Sequence, residues 1–202
     1  MQIKQIAKLV KQSGELQLWT DAEQDTQWIC NGYGAWPLYG FPFLDSDSVL
    51  AVLDIPEKDR EKIIVTEKAP PDGICLKDEA SEEELPDPPI SICYGGELLL
   101  PLETSEGLLL VDPNLFKPLR DVQPLTVHVR KTKRGEAYLA AKGGMLLHGI
   151  LWPRNLKTYG ALPDLLGRIA GGLTESITRD AEKLPDEEDD QIELGEDDDD
   201  GA

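Results

Sequence analysis

The fold class is decided by residues 108–153, LLLVDPNLFKPLRDVQPLTVHVRKTKRGEAYLAAKGGMLLHGILWP, where short apolar runs alternate with turn residues. Asp112 followed by Pro113 predicts the start of a helix, because an aspartate caps the first turn and a proline there loses no hydrogen bond. Gln123 and Pro124 end this helix. The stretch therefore predicts a strand, a short helix and three further strands.

The three strands follow from alternation and from turns. Apolar and polar residues alternate from Leu125 to Arg130, which is the period of a strand with one buried face. Glycine supplies the backbone freedom for two reversals, at Gly135 and at Gly143-Gly144, so two more strands are expected.

The same order of elements recurs near the N-terminus. Residues 3–12 have the pattern of an amphipathic helix closed by Ser13 and Gly14, and strand patterns follow. Shifting this segment by 109 residues superimposes residues of matching character, and one more residue in the hairpin extends the match. The matched pairs are Ile6 with Leu115, Lys8 with Lys117, Lys11 with Arg120, Leu16 with Leu125, Leu18 with Val127 and Trp28 with Tyr138. Cations therefore recur on the outward face of both helices, where folding does not require them.

This pattern resembles the DNA sliding-clamp, or processivity-factor, fold, in which a strand, a short helix with outward cations and three strands occur twice in each domain. The stretch LLVDPNLFKPLRD and the closing LLHGILWP are similar to the last half-domain of bacterial clamps. The resemblance covers about 130 of the 202 residues. A bacterial clamp subunit repeats the domain three times and this chain has room for one, so the resemblance implies that encircling DNA requires several copies.

The expected fold class is α+β, with antiparallel sheets in two pseudo-symmetric strand-helix-three-strand halves. The expected boundaries are 1–66 for the first half-domain, 67–89 for an acidic, proline-rich loop or linker, 90–157 for the second half-domain, 158–183 for a C-terminal helix and 184–202 for a disordered acidic tail. The linker and the tail are poor in apolar residues, so neither is expected to bury enough surface to offset the entropy of ordering.

The negative charge of the chain is concentrated at one end. The net charge is −19, and eleven acidic residues and no basic one lie between Asp186 and Asp200. The rest of the chain holds 28 acids against 20 bases, a net charge of −8. This charge disfavours a generic basic nucleic-acid binder, but it allows a local basic face on an acidic body, as in sliding clamps.

Few residue patterns in this chain indicate a reaction. The three cysteines, Cys30, Cys75 and Cys93, are odd in number and unclustered, which favours neither a disulfide scaffold nor a zinc site. No phosphate-binding glycine loop, nucleophile elbow or paired-histidine motif is present. We therefore expect no enzymatic activity, no cofactor and no metal. The sequence also lacks a signal-peptide pattern or a membrane span, and the cytoplasm is the expected location.

The candidate nucleic-acid-binding residues are cations on the two helices and on one hairpin, where they would contact phosphates. They are Lys4, Lys8, Lys11, Lys117, Arg120, Lys131, Lys133 and Arg134. A second candidate site lies in the tail, where Gln191, Ile192 and Leu194 loosely resemble the glutamine-led peptides that dock on bacterial clamps. The partners expected from these patterns are DNA, a protein bound by the tail or the C-terminal helix, and further copies of this chain.

The function expected first is that of a non-enzymatic, DNA-associated accessory protein with a sliding-clamp-like fold, from a phage or mobile element. The alternative is an acidic DNA mimic, in which the tail and the acids of residues 78–87 imitate a phosphate backbone and inhibit a basic DNA-binding protein. A third interpretation is a small structural or assembly protein that uses its C-terminal helix.

Overall fold

The computed structural model describes residues 2–79, 82–88, 90–105 and 107–181. The chain divides between Tyr159 and Gly160 into two compact units. The described part of the second unit is one α-helix, α4 (Leu162–Ala181), in the region where the sequence predicts a C-terminal helix. No helix among the described residues combines the length and apolarity needed to cross a membrane.

The first half of the larger unit begins with the predicted amphipathic helix. The elements in order are α1 (Ile3–Ser13), β1 (Glu15–Asp21), β2 (Thr26–Cys30), β3 (Gly34–Pro37), α2 (Ser46–Val52), α3 (Glu57–Arg60) and β4 (Ile64–Lys68). Gly14 ends α1 in the left-handed conformation, and its N–H donates to the carbonyl of Val10 at 2.9 Å. Asp45 caps the N-terminus of α2 by accepting from the N–H of Ser48 at 2.8 Å. The end of α1 and the start of α2 therefore both lie at residue types that favour these positions.

The second half contains most of the strands. Its elements are β5 (Glu83–Leu85), β6 (Ile92–Tyr94), β7 (Glu97–Thr104), β8 (Gly107–Val111), a 3-10 helix (Pro113–Leu119), β9 (Thr126–Lys131), β10 (Ala137–Gly143), β11 (Leu146–Leu151) and a second 3-10 helix (Leu156–Tyr159). Asp112 caps the first 3-10 helix, as predicted, and accepts from the N–H of Asn114 at 2.8 Å. Pro118 lies inside this helix and has no N–H to donate, which disfavours α-helical hydrogen bonding in so short a segment.

The α+β class is confirmed, but the expectation of purely antiparallel sheets is wrong. An eight-stranded sheet has the order β4-β1-β2-β3-β11-β10-β9-β5, and a three-stranded sheet has the order β6-β7-β8. β4 pairs with β1 in parallel, which makes the larger sheet mixed. The parallel direction has a physical reason: the long connection through α2 and α3 is a crossover, whereas short hairpin turns join antiparallel neighbours.

Both faces of the larger sheet are buried over its central strands, whereas the edge strand β4 is mostly exposed. On one face, α1 and the first 3-10 helix cover alternate side chains of the strands, among them Leu18, Ile29 and Leu139. On the other face, the residues between these positions form a second apolar cluster, which includes Trp28 and Tyr138. Leu76 belongs to this second cluster, so the segment predicted as a linker packs on the sheet.

Candidate functional site

Helix α1 separates its apolar and basic residues onto two faces. Ile6 and Val10 are fully buried, together with Ala7 and Leu9. Their spacing turns the intervening lysines away from the sheet, and Lys4, Lys8 and Lys11 are exposed. The three lysines therefore form a solvent-facing basic row, as the sequence predicts from helical periodicity.

The first 3-10 helix lies against the start of α1. The N–H of Gln2 donates to the carbonyl of Pro118 at 2.8 Å, and the side-chain amide of Gln2 donates to the carboxylate of Asp121, also at 2.8 Å. Arg120, next to this contact, is exposed, and Lys117 is half-buried. The structure thus brings together two helices that lie more than 100 residues apart in the sequence. We call the five cations of these helices the helical basic face: Lys4, Lys8, Lys11, Lys117 and Arg120.

No member of the helical basic face forms an ion pair with another described residue. One of these cations nevertheless affects the pKa of a nearby carboxyl group. The pKa of Asp59 is lowered chiefly by a hydrogen bond from Lys62, with smaller contributions from other lysines that include Lys11. Unpaired, exposed cations are the groups that can neutralise phosphates without first breaking an internal contact.

The hairpin cations occupy a different environment. Lys131 ends β9, and Lys133 and Arg134 lie in the turn before β10; all three are exposed. Lys131 and Lys133 line a cleft of about 570 Å³ whose walls also carry Asp21, Asp72 and the ion pair of Glu23 with Lys77. These carboxylates offset the positive charge of the hairpin, so it is a weaker phosphate site than the helical basic face. The predicted docking residues Gln191, Ile192 and Leu194 lie outside the described residues.

A buried charge cluster in the same unit has no counterpart in the sequence analysis. The carboxylate of Glu82 lies 2.5 Å from the guanidinium of Arg130 and 3.7 Å from the ammonium of Lys142. Lys142 also pairs with Asp78 at 2.5 Å. Arg130 donates further to the carbonyl of Cys75 at 2.8 Å. These contacts attach Asp78 and Glu82 to β9 and β10.

His128 borders this cluster. Its Nε2 lies 3.0 Å from the hydroxyl of Thr126, and its Nδ1 lies 3.9 Å from Oε2 of Glu82. Neither Nδ1 of His128 nor Oε2 of Glu82 has a hydrogen-bond partner in the described part of the chain. The alternation in β9 predicts that His128 and Arg130 face solvent; both are buried instead, because Cys75 and Glu82 lie against them.

The sequence offered one indication of the cluster. Lys142 directly follows the apolar run YLAA in a strand, and Arg130 stands at the alternate position of the neighbouring strand, so both cations fall on one face. Their acidic partners are 48 or more residues away, beyond the range of any periodicity argument. The ion pairs of Glu82 and Asp78 with Arg130 and Lys142 hold residues distant in sequence against β9 and β10, which is a structural role.

The described residues contain no group of three histidine, cysteine or acidic side chains arranged to hold a metal ion. The three cysteines are free. Burial raises the pKa of the Cys30 thiol to about 12, and burial also raises that of Cys75. Raised thiol pKa values disfavour the nucleophilic thiolate at both positions.

The aromatic residues of the first half separate into core and surface. Trp19, Trp28 and Trp36 are at most 1% exposed, whereas Tyr33 is 45% exposed. These four residues therefore do not form a stacking platform for bases. Tyr33 instead belongs to a cleft with other aromatic side chains from the 94–97 and 152–159 regions.

Comparison of this chain with protein-family models, with curated proteins and with solved structures finds no match.

Proposed function

We propose that this chain is a non-enzymatic, DNA-associated accessory protein with a sliding-clamp-like fold, of the kind that a phage or mobile element encodes. The observation that carries the proposal is the helical basic face. Two helices from distant parts of the sequence lie side by side through Gln2 and Pro118, and their cations are free of internal ion pairs among the described residues. Such a surface attracts a phosphate backbone irrespective of base sequence.

The internal repeat gives independent support. Two pairs of the register lie in the same apolar cluster: Ile6 and Leu115, 109 residues apart, lie in the first, and Trp28 and Tyr138, 110 residues apart, lie in the second. The strand order supports the same interpretation. β3 and β11 pair at the centre of the sheet, and β1-β2-β3 on one side is mirrored by β9-β10-β11 on the other.

The acidic-mimic alternative draws less support from the 78–87 region. Two of its acids, Asp78 and Glu82, form ion pairs with Lys142 and Arg130, so their charges are already neutralised by cations of this chain. The alternative then depends on the acidic stretch from Asp186 to Asp200. The assembly alternative depends on α4, where Leu165, Ile169, Leu173 and Ile177 recur at helical spacing.

The decisive experiment is a salt titration of binding to a short DNA duplex. If all five cations of the helical basic face contact phosphates, changing them to alanine reduces the slope of log affinity against log salt by about 0.9 for each lost contact. The matched control changes five cations elsewhere, the exposed lysines Lys58, Lys62, Lys68, Lys77 and Lys157, and thereby removes the same charge.

Equal losses in the two variants would mean that only net charge matters, and the proposed face would be wrong. Negligible affinity of the unaltered protein at low salt would exclude direct DNA contact altogether. Mass in solution completes the test, because a chain with one clamp-like domain encircles DNA only as a multimer. DNA binding by a strictly monomeric protein would be consistent with the helical basic face as the contact surface, but it would exclude a multimeric ring around DNA.

A further inference from the structure

A cleft of about 630 Å³ lies in the larger unit, apart from the helical basic face. Its walls include the rings of Tyr33, Tyr94, Trp152 and Tyr159, together with the charged side chains of Glu97 and Arg154. Four aromatic rings around an open cleft are unusual, because aromatic side chains commonly fill cores and mark binding surfaces when they stay accessible. The charged groups determine which ligand the cleft suits.

One half of the cleft already holds a cation. The guanidinium of Arg154 lies 4.3 Å from the centre of the Tyr33 ring and pairs with the carboxylate of Asp112 at 3.2 Å. An aromatic face plus a carboxylate therefore binds a guanidinium here, as expected from the negative potential of the ring face and from charge pairing.

The other half of the cleft also combines aromatic rings with a carboxylate. Tyr94 and Tyr159 lie edge to face with ring centres 6.2 Å apart, and the hydroxyl of Tyr159 donates to Glu97 at 2.8 Å. Glu97 forms no ion pair within the described part of the chain. Burial together with this carboxylate raises the pKa of Tyr159 to about 12, which keeps the hydroxyl protonated and donating. One carboxylate oxygen thus has a donor, and the group keeps its full negative charge.

We propose that this second half, formed by Tyr94, Tyr159 and Glu97, binds a cationic side chain, arginine or lysine, of a partner protein. Charge complementarity selects this occupant. Arg154 is neutralised by Asp112, so the cleft retains the single negative charge of Glu97 beside aromatic faces. A phosphate or a carboxylate would be repelled by Glu97, and a neutral apolar group would leave that charge unpaired.

The test uses three blocked tripeptides, glycine-X-glycine with X as arginine, lysine or citrulline, and the dinucleotide TpT, titrated into the full-length chain. Citrulline has the shape of arginine without its charge, so it isolates the electrostatic contribution. Two-dimensional NMR reports the indole N–H of Trp152 and the ring of Tyr94. The arginine peptide is expected to shift both signals and to bind about tenfold more tightly than the citrulline peptide.

Two variants with matched controls locate the binding. Glu97→Gln is expected to weaken the arginine peptide about fivefold, whereas Glu103→Gln, an exposed carboxylate of the same strand, leaves its affinity unchanged. Tyr94→Leu is expected to weaken it similarly, and Tyr39→Leu, at a tyrosine 38% exposed elsewhere, is not. Glu97 is exposed, so Glu97→Gln is expected to leave the fold intact. This variant therefore still tests the proposal if Tyr94→Leu disturbs folding.

Three outcomes would overturn the proposal: no shift at Trp152 and Tyr94, equal affinities for the arginine and citrulline peptides, or affinity that Glu97→Gln leaves unchanged. Tighter binding of TpT than of the arginine peptide would identify the cleft as a base-stacking site instead. None of these outcomes depends on the helical basic face, so this proposal and the proposed function fail independently.

Discussion

The Nη2 atom of Arg130 lies 2.5 Å from the Oε1 atom of Glu82, and the two side chains are only 2% and 4% exposed. The pair joins β9 to a segment whose composition predicts a solvated linker. Removing two charges from water is costly, and their attraction offsets that cost only while both partners are present.

We therefore expect Glu82→Ala to lower the free energy of unfolding by about 3–5 kcal/mol, because Arg130 would remain buried without its partner. Urea unfolding followed by tryptophan fluorescence measures the loss. The double variant Glu82→Leu/Arg130→Met replaces the pair with apolar groups and is expected to recover most of the stability. A single variant as stable as the unaltered protein would mean that the pair is solvated in solution.

Acid should weaken the contacts of the same region. A hydrogen bond from Lys142 lowers the pKa of Asp78, and hydrogen bonds from Ser105 lower the pKa of Glu83. In the pH range between the lowered and the unfolded pKa values, the folded state binds fewer protons than the unfolded state. The stability contributed by these groups is thus present above the unfolded values, about 3.9 for Asp and 4.3 for Glu, and is lost as pH falls through the lowered values.

Urea midpoints measured from pH 7 down to pH 2 should therefore fall in acid, and Asp78→Asn should reduce that fall. Asp87→Asn is the control, since Asp87 is exposed and has no hydrogen bond to another described residue. Identical acid dependence in the two variants would contradict the assignment to Asp78.

The backbone conformation at position 73 and the atoms around it both require a glycine there. Its φ is +87°, and a Cβ there would lie 2.9 Å from the backbone nitrogen of Lys133. Gly73→Ala is therefore expected to lower the free energy of unfolding by roughly 2 kcal/mol or more, from left-handed strain plus displacement of the β9–β10 hairpin. Gly40→Ala is the control, because Gly40 has a φ of +79° with no atom within 4 Å of its Cβ position. Equal losses of stability in the two variants would mean that backbone strain alone, and not the contact with Lys133, causes the loss.

Deleting residues 186–202 should leave the melting temperature of the larger unit nearly unchanged. The acidic stretch holds almost no apolar residues and carries eleven like charges, so its sequence predicts little contribution to a core. Calorimetry of the full and shortened chains measures the difference. A shift of several degrees would show that the stretch contributes directly to folding stability.

The sequence alone determined the local elements of this protein. The helix caps at Asp45 and Asp112, the left-handed end of α1 at Gly14 and the strand periods are short-range properties. They depend on hydrogen bonds and backbone angles within a few residues, and so the sequence predicts them. The outward position of Lys4, Lys8 and Lys11 follows from the same periodicity.

Tertiary structure alone decided which surfaces stay open. The alternation in β9 is the same whether His128 and Arg130 face water or a covering segment, and only long-range folding places Glu82 against them. The parallel pairing of β4 and the grouping of Tyr33 with Tyr94 and Tyr159 also join residues far apart in the chain. Such contacts depend on which distant surfaces are complementary in shape and charge, and local periodicity does not encode that choice.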